Sequence, residues 1–137
     1  MLLARLLITA AALGFGLAPF LFDLSVSHAF NPDWPPHARF HTAWLVGVLA
    51  AVAAITLVMT WRGRPAEARG NLSVALALGW AAIVPFGLAA LAMPVYGGAL
   101  AGEGHEIAVF GVDSNILGFG VAATMLAAAP LIVLRRS

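Results

Sequence analysis

Two histidines four residues apart, His37 and His41, are the residues of this 137-residue chain whose spacing is best suited to chemistry. On a helix, positions i and i+4 share a face. Two imidazoles placed this way can ligate one metal ion or pass a proton, because imidazole changes its charge near neutral pH. The pair closes the run Asn31-Pro32-Asp33-Trp34-Pro35-Pro36-His37-Ala38-Arg39-Phe40-His41, whose three prolines stiffen the approach to it. The glutamate that a zincin carries between its histidines is missing; Ala38 and Arg39 stand there instead. A third ligand has to come from Asp23, His28, Glu103, His105 or Glu106, and the glycine-flanked stretch Gly102-Glu103-Gly104-His105-Glu106 is the one able to reach back. The same residues also suit acid–base work, or a hydrogen-bonded cap that orders two loops.

The composition limits what can surround this pair. Hydrophobic residues make up 62% of the chain and charged residues 9%, against about 25% charged in a typical soluble domain. So few charges cannot build a water-facing surface, which excludes a soluble globular enzyme and implies a membrane protein. There is no cysteine, hence no disulfide, thiolate metal site or cysteine nucleophile. A net charge of +1 leaves no basic surface for nucleic acid. All seven basic residues are arginine, so no lysine is available for Schiff-base chemistry.

Four continuous apolar runs, near residues 2–22, 40–61, 72–94 and 115–134, are each long enough to cross the hydrocarbon of a bilayer as a helix. Because they are continuous rather than alternating, they predict helices and not barrel strands. The first run has features of a secretory signal, with Arg5 as a basic flank and Ser27-His28-Ala29 as a small-x-small triplet. It is long for such a signal and reads as span one. Arg5, Arg62, Arg64, Arg69, Arg135 and Arg136 fall on one side of the predicted bundle and only Arg39 on the other. The positive-inside rule then places both termini in the cytoplasm. Asn71, and Asp113 or Ser114, are predicted N-caps of spans three and four. Pro35-Pro36 suits the first turn of span two, and Pro85 would free the carbonyl of Ala81 in span three. Gly14 with Ala18, Gly47 with Ala51 and Gly118 with Ala122 have the spacing of helix-contact pairs.

On this topology all four histidines map to the outer side, together with Asp23, Asp33, Glu103, Glu106 and Asp113. Asp23 ends span one close to hydrocarbon depth, where a carboxylate needs a partner or water. Trp34 and Trp44 suit an interfacial aromatic belt, and Arg39 is placed to meet Asp33 or a lipid phosphate. No charged residue lies mid-span, which argues against an ion or proton path. No histidines face one another mid-span, which argues against haem.

The 31–41 run, written Asn-Pro-x-Trp-Pro-Pro-His-Ala-Arg-Phe-His, resembles the signature of a small, functionally uncharacterised family of four-span membrane proteins. That resemblance implies the four-helix topology and no defined activity. A looser resemblance is to the EXPERA group of sterol isomerases and sigma-2-receptor-like proteins. The shared features are four spans, cytoplasmic termini, an acid at Asp23 ending span one and a tryptophan-containing start to span two. This likeness implies a pocket within the bundle for a sterol-like or terpenoid ligand, with acidic and histidine side chains handling protons on it. Spans two and three carry no carboxylate and span three no histidine, so Asp23 is the one residue carried over.

The expectation is therefore an all-α chain, a single integral membrane four-helix bundle over residues 1–137 with both termini cytoplasmic. His37, His41 and Asp23 would carry proton transfer, and Trp34, Arg39, Trp44 and His105 would contact a lipophilic ligand. His37, His41 and Glu103 would hold a divalent metal acting as Lewis acid. Neither haem nor nucleotide is expected. The expected partners are membrane lipid, a lipophilic small molecule, and a second membrane protein or another copy of the chain. The alternative is a non-catalytic accessory or structural subunit of a larger membrane complex.

Overall fold

The first span is not one uniform helix, and Pro19 is the reason. In the computed structural model, which describes residues 1–64, 66–102, 104 and 106–134, helix α1 (Leu2–Ala12) passes through a π-turn (Leu13–Leu17) into helix α2 (Ala18–Asp23). Proline has no N–H to give to the carbonyl one turn back. The ladder adjusts just before it: the Ala18 N–H donates to the Leu13 carbonyl, five residues back. Such a bulge is one of the recognised causes of a helix bend.

The second span, α3 (Pro36–Trp61), starts at the Pro35-Pro36 pair, four residues earlier than hydropathy alone suggests. Pro36 occupies the first helical position, where a missing N–H leaves nothing unbonded. A short connector leads to α4 (Ala68–Tyr96). Asn71 is not the N-cap of α4. It lies in the first turn, and its Nδ2 donates to the Arg62 carbonyl at 3.0 Å, closing the connector behind the left-handed Gly63 (φ 98°). Helix α4 carries Pro85 and Pro94 and ends at Gly97 in the left-handed conformation. The Gly98 N–H returns to the Met93 carbonyl at 3.0 Å, closing the last turn.

The apolar pattern predicts helices alone, but a tight hairpin, β1 (Ala108–Val109) with β2 (Val112–Asp113), precedes the last helix. Phe110 and Gly111 both have positive φ, 53° and 78°, as a two-residue primed turn requires. Helix α5 (Ser114–Leu134) follows directly. Here the predicted cap is present: Asp113 Oδ1 accepts the N–H groups of Asn115 (2.8 Å) and Ile116 (3.4 Å).

Successive spans are antiparallel. Thr9 meets Trp61 while Gly16 meets Ala53, and Gly79 meets Leu126 while Phe86 stacks on Phe119. Helix α1 lies between α3 and α5, and α4 packs on both of them. The core is an alanine-rich seam in which Ala4, Ile8, Ala11, Ala12 and Phe15 of span one meet Ala75, Ala82, Ala122, Leu126 and Ala129. Small side chains let the helix backbones approach closely. The glycines that use this freedom are Gly16, where an added Cβ would collide with the Cβ of Ala53, and Gly79, where it would lie 2.8 Å from Leu126 Cδ1. Of the glycines predicted from spacing, a Cβ added at Gly14 would lie 4.0 Å from the Cβ of Ala122, whereas one added at the exposed Gly47 or Gly118 would meet nothing within 4 Å. Spacing identifies a small-residue stripe but not the direction in which it points.

Four helices are long and apolar enough to cross a membrane: Leu2–Asp23, Pro36–Trp61, Ala68–Tyr96 and Ser114–Ile132. Only 17–28% of each apolar window is buried within the chain, so most of the apolar surface is turned outward.

Candidate functional site

The antiparallel arrangement puts His28, His37, His41 and the hairpin at one end of the bundle, and Arg5 with the α3–α4 connector at the other. At the histidine end the fold sorts the polar residues into two groups.

The first group belongs to the opening turns of α3. The Nε2 atoms of His37 and His41 are 3.0 Å apart, with the rings nearly perpendicular at 89°. A hydrogen bond of this kind needs one ring to donate and the other to accept, so the pair shares a single proton along that line. Both imidazoles are exposed. Phe40 and Trp44 are one turn apart and flank His41, with ring centroids 5.7 and 5.8 Å from it. Both aromatics are also exposed, at 62% and 59%. The imidazole pair therefore sits beside an open aromatic surface rather than inside a closed cavity. Two nitrogens bound to one zinc ion at about 2.0–2.1 Å in tetrahedral geometry stand roughly 3.3 Å apart, close to the spacing seen here, but chelation would require the shared proton to leave and both rings to turn their lone pairs toward the ion.

The second group is the segment between α2 and α3. The carbonyl of Asp23 accepts the Ala29 N–H at 3.0 Å. Ser25 Oγ donates to the Phe22 carbonyl and contacts Ser27 Oγ at 2.8 Å, and Ser27 Oγ contacts His28 Nδ1 at 2.9 Å. The Asp23 side chain is half-buried, as is His28 five residues on. Trp34 packs edge-on to His28 at 5.5 Å. Asn31 Oδ1 accepts the Asp33 N–H at 2.9 Å, which tightens the turn before the prolines. This serine–histidine chain is not among the arrangements that spacing predicts. The local signal was Ser25-x-Ser27-His28, short polar side chains that bond nearby backbone and one another.

Of the residues singled out by sequence, His37, His41 and Trp44 come together, and Trp34 goes with His28 instead. Arg39 is half-buried, two residues after His37. Among the described residues no group of three His, Asp or Glu side chains is placed to hold a metal ion. Glu103 and His105, the expected third ligand and ligand contact, lie outside the described residues. A shallow apolar groove of about 520 Å³ is present, but it runs along α5, lined by Val112, Ile116, Gly120, Thr124 and Met125 among others, and includes no histidine.

Fold and site together define a small helical bundle of membrane-spanning dimensions with an exposed imidazole pair at one end. The chain belongs to the family of unknown function DUF6640, which it matches over residues 7–129. The match covers the core of all four long helices and both polar groups at the histidine end. No curated protein and no solved structure matches the chain.

Proposed function

We propose that this is a multi-pass integral membrane protein with both termini in the cytoplasm. On its outer face, His37 and His41 bind or transform a lipophilic ligand by proton transfer. The observation that carries this reading is the 3.0 Å contact between two exposed imidazoles beside exposed Phe40 and Trp44. An amphiphile lying at the membrane surface would set its apolar body on the aromatics and its polar group on the pair. One ring can then take a proton while its partner gives one, without a large movement of either. The pair also offers two of the ligands that a divalent metal needs, with Glu103 as the third that the sequence offers. The likeness to the EXPERA group suggests a sterol-like or terpenoid ligand, with Asp23 as its acidic contributor.

The α5 groove supports a second reading. It is apolar, open and distant in sequence from the histidines, as the contact face of an accessory subunit would be. One experiment separates the two: bound divalent metal and co-purified lipophilic molecules are quantified in the wild-type chain and in a His37→Gln, His41→Gln double variant. The site reading expects the wild type to carry one or both and the double variant to lose them. Equal content in the two proteins would transfer support to the accessory-subunit reading.

A further inference from the structure

The opposite end of the bundle holds a second polar arrangement that the histidine site does not use. Arg5 projects from α1, half-buried, with its guanidinium carbon 5.7 Å from the centre of the Trp61 ring at the end of α3. The indole is held in place by its own hydrogen bond, Trp61 Nε1 to Thr9 Oγ1 at 2.9 Å, and Thr9 lies one turn from Arg5 on the same helix. The Arg5 Nε is buried and has no hydrogen-bond partner among the described residues. A guanidinium cannot shed its charge, and a buried donor left unbonded is costly. Nε itself is covered by the protein, so an outside group reaches the two terminal nitrogens of the half-buried guanidinium, and an oxyanion takes both in the bidentate geometry natural to arginine.

We propose that Arg5 and Trp61 form a binding site for the phosphate group of an anionic lipid, at the end of the bundle away from the histidines. The setting of this site in a bilayer rests on the membrane reading above. Leu2, Leu3 and Leu6 surround Arg5 on α1 and are 63%, 53% and 48% exposed, so acyl chains attached to that phosphate have an apolar surface beside it. Arg62, Arg64 and Arg69 are exposed at the same end and make its potential positive. The carboxylate at that end, Glu67, is turned to its own connector, where Oε2 accepts the Arg64 N–H at 3.3 Å.

The test places the wild-type chain in nanodiscs of mixed phosphatidylcholine and phosphatidylglycerol and measures the lipids retained by native mass spectrometry. Phosphatidylglycerol should be enriched over phosphatidylcholine. Arg5→Gln should reduce that enrichment about five-fold, the effect of one basic residue at a membrane surface, and Arg64→Gln should reduce it less. Thr9→Val keeps the arginine and releases the indole, so it should lower the enrichment even if Arg5→Gln fails to fold. Unchanged enrichment in Arg5→Gln, or in Thr9→Val, overturns the site, as does an equal loss in Arg5→Gln and Arg64→Gln. In a second arm, inorganic phosphate is added to the detergent-solubilised protein. It should raise the melting temperature less than phosphatidylglycerol does, and an equal rise assigns the site to free phosphate instead. A wild-type chain that does not enter nanodiscs overturns the membrane reading and this site with it. A chain that enters but retains lipid without preference overturns the site alone.

Discussion

At the scale of single residues, the question is what an imidazole does at position 41 that an amide could not. His41 is one turn further along α3 than His37, and its hydrogen-bond partner is that second imidazole. Glutamine can still donate and accept there, so His41→Gln should fold, with a stability loss of about 1 kcal/mol or less. Thermal unfolding in detergent would check this. A loss of several times that size would mean that the pair is a structural cap holding the start of α3. The functional expectation differs: an amide neither titrates near neutrality nor binds a transition metal well. The proposed site therefore predicts nickel or zinc binding by the wild type and its loss in the variant. Stability and binding thus move independently at this position.

At the scale of elements, the decisive contact is between the π-turn of span one and the middle of α3. Gly16 faces Ala53 so closely that a Cβ on the first collides with the Cβ of the second, and neither group can rotate away. Gly16→Ala should therefore destabilise the bundle by about 1–3 kcal/mol through overpacking. Ala53→Gly in the same chain should recover part of that loss. Gly47→Ala is the control: nothing lies within 4 Å of an added Cβ there, and it should be neutral or stabilising by up to about 1 kcal/mol, the helix preference for alanine over glycine. Melting temperatures of the four proteins would check the series. A Gly16→Ala chain as stable as the wild type would show that spans one and two pack differently from this arrangement.

At the scale of the whole molecule, the outward-turned apolar surface and the separation of charge argue for one orientation in a bilayer. Arg5 and the α3–α4 connector with Arg62, Arg64 and Arg69 share one end, and Arg39 lies at the other. Basic residues are retained on the cytoplasmic side. Reporter fusions at Gly63 and Gly102 should therefore report opposite sides of the membrane, with Gly63 cytoplasmic. An external Gly63 would reverse the orientation. It would move the histidine pair to the cytoplasmic face and the Arg5–Trp61 site to the outer leaflet.

The four membrane-length spans and their approximate limits were legible in the sequence, because crossing hydrocarbon demands a long continuous apolar run and little else. The His37–His41 pairing was legible for a similar reason: i and i+4 neighbours are brought together by the helix itself, whatever surrounds it. The Asp113 cap is local in the same sense. What spacing could not provide was direction. Gly47 and Gly118 have the same local signal as Gly16 and Gly79, and only the packing of whole helices decides which of them meet a neighbour. Asn71 looked like a cap until its side chain was required to close a connector whose geometry depends on two helices together. The contacts of Thr9 with Trp61 and of Arg5 with Trp61 join residues more than fifty positions apart. Nothing in the local sequence encodes such pairs. They follow from the way the alanine-rich faces of the helices pack against one another, which is a property of the bundle as a whole.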